Sequence, residues 1–166
     1  QSVYDALKYA KQGMNAFEIK NRLEKEAYDA SIYIAVDTLA YLKKGGRVTA
    51  AAAAIGTVLN LKPVLTIQGE KLDAYAKERG MKKARHVMIK AMQKDFEERF
   101  AELDKQGRMR LCIAYSHVDD ETLQSWIDEV NEAFPGRDLL ISPLSLSIGC
   151  HIGPGALAIA ACRMEP

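Results

Sequence analysis

The spacing of apolar positions changes several times along the chain, and each change predicts an element. Residues 2–11 repeat apolar side chains at Val3, Ala6, Leu7 and Ala10, the three-and-four spacing of a helix. Gly13 ends that helix, and Asn15 is placed to cap a second one running to about Ala27, with Phe17, Ile19, Leu23 and Ala27 as its stripe. Residues 31–36 (SIYIAV) are β-branched and aromatic and predict a buried strand. A short helix over 39–43 stops at Gly45-Gly46, with Lys43 and Lys44 beside its last carbonyls. Thr49 is placed to cap an alanine-rich helix over 50–59, which Asn60 and Pro63 end. Residues 62–67 and 71–75 predict a hairpin turning at Gln68-Gly69-Glu70.

A long helix over 81–105 follows, with Lys94–Glu98 and Asp95–Arg99 pairs expected on its wet face. Residues 109–115 (MRLCIAY) form the clearest strand; Asp119 or Asp120 caps a helix through Ala133, and residues 138–141 return as a strand. Strand, helix, strand at this spacing predicts a right-handed unit with parallel strands. Residues 157–162 are the last apolar strand. The sum is an α/β fold with a mixed sheet and flanking helices.

Composition narrows the function. Lys plus Arg total 23 against 22 Asp plus Glu, so the net charge of +1 excludes a protein whose main work is electrostatic adhesion to nucleic acid or an anionic membrane. The apolar content of 48% and charged content of 27% are those of a folded domain. The apolar runs are far shorter than the ~18 residues of a membrane span. Cys112, Cys150 and Cys162 form no CxxC pair and no metal pattern with His86, His117 or His151, and are expected to be reduced, buried thiols of a cytoplasmic protein. The first residue is Gln1 rather than Met, from which a piece of a longer chain is expected.

Two segments carry candidate chemistry. Gly45-Gly46-Arg47 lies between two helices, where glycine admits a positive φ or a close approach to the backbone. It reads either as a helix stop followed by a helix start or as an anion-accepting turn. The second segment runs from Ser145 to Ala156, where three glycines and a proline crowd His151. Such a composition predicts a non-helical loop, either structural or one that presents an imidazole to a small polar or anionic group. The alanines at 50–54 present almost no side chain, which suits close packing or a wall set back to leave an apolar tunnel. His86 reads as solvated and His117 as structural. The Walker, GxSxG, HExxH and GxGxxG motifs are all missing, so a self-contained catalyst is poorly supported.

The same segments resemble the DegV family. The resemblance rests on residues 36–48 (VDTLAYLKKGGRV), the alanine-rich stretch after them, residues 59–65 (LNLKPVL), the basic run 77–84 (KERGMKKA) and the loop 151–156 (HIGPGA). Ile152 stands where the family loop usually has threonine, which removes a hydroxyl near the ligand site.

This resemblance implies a long-chain fatty acid as the ligand, held between two α/β domains, and no other cofactor. It implies a carrier, not an enzyme, that presents the carboxylate to a separate kinase for acyl phosphate formation in phospholipid synthesis. Residues 1–29 would be the last helices of the first domain, and 30–166 a second domain of DegV and dihydroxyacetone-kinase type. His151 would complete the carboxylate network, with Gly153 and Gly155 in its loop. Ala52, Ala53, Ile55, Leu59 and Ile148 would line the tunnel, and Gly46 and Arg47 would sit at its mouth or face the kinase. One alternative is a dihydroxyacetone-kinase-like phosphotransfer subunit using His151. Another is a protein-binding module acting through Arg47 and the basic Lys82-Lys83-Arg85 face.

Overall fold

The computed structural model describes residues 1–53, 61–67 and 71–165. Six strands form one sheet: β1 (Ala30–Ala35), β2 (Leu61–Ile67), β3 (Leu72–Arg79), β4 (Met109–Tyr115), β5 (Leu139–Pro143) and β6 (Leu157–Arg163). Their spatial order is β3-β2-β1-β6-β4-β5. The expected hairpin is β2 paired antiparallel with β3, and the expected parallel pair is β4 with β5. The remaining neighbours are antiparallel, so the sheet is mixed. Strand β3 runs four residues past Tyr75, into the basic run. Its charged side chains are compatible with an edge position, where they also discourage pairing with another chain.

Direct partners across a sheet share a face. Tyr33 pairs with Ile159 and Ala35 with Leu157, on the face covered by α5 (Met81–Glu98) and α7 (Asp120–Ala133). The larger core lies there, built on Met88, Met92, Phe100 and a fully buried Trp126 whose indole N–H donates to Ala158 O at 3.3 Å. The expected single helix over 81–105 is two, because Arg99 and Phe100 leave the helix and α6 (Ala101–Lys105) restarts it. The Phe100 ring, 2% exposed, turns into the core and takes its backbone out of register, its N–H reaching Asp95 O. Asp95 is not on the wet face as expected. It is 7% exposed and accepts a hydrogen bond from Tyr33 Oη at 2.8 Å, with Arg99 at 3.3 Å.

Among the described residues, the opposite face is covered only in part. The short helices α3 (Ala40–Lys44), α4 (Ala50–Ala53) and α8 (Leu146–Ile152) lie over the end of the sheet near Ile34 and Ala158. Leu42, Leu65, Val48 and Ile152 form the second core there. Beyond these helices Ile32 is 37% and Leu140 40% exposed, so strand β1 is not buried on both faces as its composition suggested. Alternation within β1 separates a bare residue, Ile32, from a buried one, Tyr33.

Helices α1 (Ser2–Lys11) and α2 (Ala16–Glu26) join the sheet through polar ties. Asn15 and Glu18 form a reciprocal capping box at the start of α2. Tyr9 Oη donates to Glu26 at 2.9 Å, Arg163 pairs with the same Glu26 at 2.8 Å, and Glu165 N–H donates to Asp5 at 2.9 Å. The expected apolar stripes are open to solvent in part: Val3 is 72% exposed and Phe17 70%, whereas Ala6, Ile19 and Leu23 are half-buried.

Candidate functional site

Of the segment singled out around His151, Leu146–Ile152 forms α8, which corrects the non-helical expectation there, while residues 153–156 form the expected non-helical turn before β6. Gly149 and Gly153 read as breakers, yet Gly149 sits inside the helix and donates its N–H to Ser145 O at 2.8 Å. Gly153, with φ 82°, ends it, and its N–H donates to Gly149 O. So short a helix is marginal alone, and buried Ile152 anchors it to the second core. His151 occupies its last turn, with Ile148 one turn earlier on the same side.

The glycine-glycine-arginine turn follows α3. Gly46 has φ 63° and reverses the chain; Arg47 N–H donates to Leu42 O at 3.1 Å. The turn is then stitched to β3: Leu72 N–H donates to Arg47 O at 3.1 Å, and Thr49 N–H to Leu72 O at 2.9 Å. The Arg47 guanidinium folds back to donate to Gly45 O at 2.9 Å. Thr49 caps α4 through Ala52 N–H at 3.2 Å and donates its hydroxyl to Asp73 at 2.6 Å. That bond, with a second from Ala74 N–H, holds the Asp73 carboxyl below its ordinary range.

Together α3, α8 and the half-covered sheet face enclose a cavity of about 380 Å3. Its floor is Ile32, Ile34, Ala114, Ala158 and Ala160, all on one sheet face by register. Ile148, Ile152 and Leu144 form one wall, and Leu42, Ile67 and Leu72 another. Among the described residues of its lining, only Arg47 and His151 have a side chain that can carry charge. The volume lies within the roughly 300–1,000 Å3 usual for small-molecule sites.

The structure thus brings together Arg47, Ile148 and His151. Gly153 and Gly155 shape the backbone beside the cavity without lining it. Gly155, at φ 79°, lets the chain pass against Asp37, whose carboxylate pairs with Lys62. Ala52 is fully buried in the second core and does not line the cavity. Ala53 is the last described residue of α4, and Ile55 and Leu59 lie outside the described residues. The sheet floor escaped sequence reasoning. The signal available was the two-residue alternation at Ile32/Ile34 and Ala158/Ala160, which marks one face without telling which face is bare.

A second recess of about 540 Å3 lies at the carboxyl ends of β4 and β5, lined by Tyr41, Ser116, His117, Cys150 and Gly153 among others. His117 is exposed, and its backbone carbonyl accepts from Gly155 N–H at 2.9 Å. His86 is exposed, as expected. Cys150 is exposed and Cys112 and Cys162 are half-buried, so the thiols are less enclosed than expected. The Cys112 thiol is pushed up, first by its hydrogen bond with Cys162 and then by burial. Among the described residues no cluster of His, Cys, Asp and Glu has the makings of a metal site, and no helix is long and apolar enough to cross a membrane.

Comparison with known proteins adds a family. The model for "uncharacterised protein, DegV family" matches residues 2–164. A DegV domain-containing protein of Clostridium perfringens is 35% identical over 160 residues, 95% of this chain and 52% of the relative. The DegV protein of Bacillus subtilis is 30% identical over 145 residues, 87% of this chain and 49% of its own length. The chain therefore spans about half the length of the curated relatives it matches. Among solved structures, a fatty-acid-binding DegV family protein of Streptococcus agalactiae superposes with a TM-score of 0.82 at 27% identity, over 99% of this chain and 55% of that one. A fatty-acid-binding DegV family protein of Thermus thermophilus superposes with a TM-score of 0.79 at 31% identity, over 98% and 56%.

Proposed function

This chain belongs to the DegV family, and on that premise we propose that it is part of a carrier for one long-chain fatty acid. The acyl tail lies along the sheet floor, and the carboxylate meets Arg47 and His151. The observation that carries this reading is the cavity itself: its described lining is aliphatic but for two ionisable side chains, supplied by the turn after α3 and the last turn of α8. Both similar solved structures are described as fatty-acid binding.

The energetics fit such a ligand. At ~0.8 kcal/mol per methylene, burying a tail of about fifteen carbons contributes roughly 12 kcal/mol gross. Immobilising tail and ligand removes several of these, and what is left still allows tight binding. No catalytic group is required for that task. Aliphatic walls are also a poor match for a short polyhydroxy ketone, which disfavours the dihydroxyacetone-kinase-like alternative.

The wider assignment follows the family. Residues 1–29 are the closing helices of a first domain and 30–166 the second domain. The exposed Val3, Leu7 and Phe17 on α1 and α2 favour that division, because a neighbouring domain would cover them. The bare half of the sheet is then the side that faces the first domain across the ligand. The complete protein works in the cytoplasm without a cofactor and offers the bound carboxylate to a separate kinase, which makes the acyl phosphate used in phospholipid synthesis.

Native mass spectrometry of the intact protein that contains this chain tests the reading, followed by organic extraction. A co-purified species of fatty-acid mass is the expected result. Protein that carries nothing and binds no added long-chain acid would overturn it.

A further inference from the structure

We infer that Tyr41 is a positioning residue for the polar end of the cavity. It does not touch the ligand; its ring fixes α8 against α3 so that His151 stays beside the Gly45–Arg47 turn. The role presupposes the fatty-acid reading above.

The geometry is a reciprocal interlock. Helix α3 ends at Gly45 and helix α8 at Gly153. Each of these glycines receives a ring from the other helix. A Cβ at Gly45 would stand 2.7 Å from His151 Nδ1, and a Cβ at Gly153 would stand 2.5 Å from Tyr41 Cδ2 and 2.6 Å from its Cε2. Tyr41 and Gly45 are four residues apart and share one side of α3. That side therefore meets the last turn of α8 at two points, one at His151 and one at Gly153.

Only one of the two points reaches the cavity. His151 lines it; Tyr41 lines the second recess instead. Neither helix holds itself, with five residues in α3 and seven in α8. Their relative position is set by what packs between them. Arg47 belongs to the α3 side of the joint, through its N–H to Leu42 O and its guanidinium to Gly45 O. A small slide of α8 along α3 would part His151 from Arg47, a pairing that depends on distance and direction, while the floor strands stay in place and the Ile148–Ile152 wall, though it moves, keeps a non-directional aliphatic surface. Tyr41 is 44% exposed, so the ring acts as a wedge at this joint more than as a buried core residue.

The test separates reading a carboxylate from burying a tail. Affinities for palmitic acid and for hexadecanol, equal in length and differing in the head group, are measured on the intact protein. Tyr41→Ala should weaken palmitate about tenfold, the size of a lost hydrogen bond to a charged group, and leave hexadecanol within about twofold. Tyr41→Phe, which keeps the ring, should match the wild type on both ligands. If Tyr41→Ala does not fold, Tyr41→Leu, which keeps bulk without the flat ring, carries the same comparison. Unchanged palmitate binding in the Ala or Leu variant overturns the role, and so does an equal loss on both ligands, which marks a general packing residue. A wild type that does not prefer palmitate to hexadecanol defeats the fatty-acid reading itself, and the positioning role with it.

Discussion

Tyr33 shows what one buried hydroxyl does for this fold. Its ring packs edge-on against Tyr75 with centroids 4.9 Å apart, and its hydroxyl satisfies Asp95 inside the larger core. Burial first, and the Asp95 hydrogen bond second, push its ionisation above the ordinary tyrosine range. Tyr33→Phe leaves that carboxylate short of a donor and should cost about 2 kcal/mol in a denaturant titration at neutral pH. The raised value also fixes a sign. Stabilisation by the neutral phenol is fully present below about pH 10, the unfolded value, and is lost as pH rises above it. The wild type should therefore lose stability above that pH more steeply than Tyr33→Phe; parallel curves would mean the hydroxyl is not held by Asp95. At this scale the sequence singled out two residues, Arg47 and His151, that the fold places in the lining of one cavity. Arg47 and His151 stand out because glycines surround them. Asp95 did not stand out, because its i,i+4 partner Arg99 made a solvated pair the simpler reading.

Among the elements, the strands and most helices were legible because each has one period and clear ends. Asp119 is such an end: it accepts from Thr122 N–H at 2.7 Å and from the Thr122 hydroxyl at 2.8 Å. These bonds hold its carboxyl below the ordinary 3.8, the backbone bond contributing most. A lowered carboxyl stabilises the fold above that pH, and the contribution is lost as pH falls through the folded value. Asp119→Ala should lower the melting temperature at pH 7, and the gap to the wild type should narrow as the pH falls below the ordinary 3.8 if the capping carboxylate is the cause. Helix α8 was not legible, since glycine and proline density outweighs any local helix signal and only burial of Ile152 explains it. Gly149 is therefore a cost that packing overrides. A Cβ there meets nothing within 4 Å. Gly149→Ala should stabilise the protein by about 0.5–1 kcal/mol in thermal or chemical melts. Palmitate affinity should not move, because Gly149 lines the second recess and not the cavity. A destabilised variant would show that α8 needs the glycine for a close approach.

At the scale of the molecule, the cavity exists because long helices cover one sheet face, whereas the described elements on the other are short. Helices α5 and α7 seal the first face with Trp126, Met88 and Met92, whereas α3, α4 and α8 together reach only part of the second. That asymmetry is invisible in single strands, because Ala158 and Ala160 read as small core residues whichever face they occupy. Small side chains on a bare face leave depth, and the proposed acyl tail needs depth. Ala160 is half-buried on the cavity floor, paired with Ile32 across the strands. Ala160→Leu should fill floor space with little change in stability, since the added side chain enters the cavity and displaces no core group. If the tail runs over this position, each methylene it excludes costs about 0.8 kcal/mol. Losing two or three of them should weaken stearate roughly 10- to 60-fold and leave laurate nearly unchanged, provided the shorter tail stops before Ala160. Displacement titrations of the intact protein across acids of increasing length would trace this. A break in the series at one length places the tail along the bare face, whereas a uniform loss at every length would place the tail elsewhere.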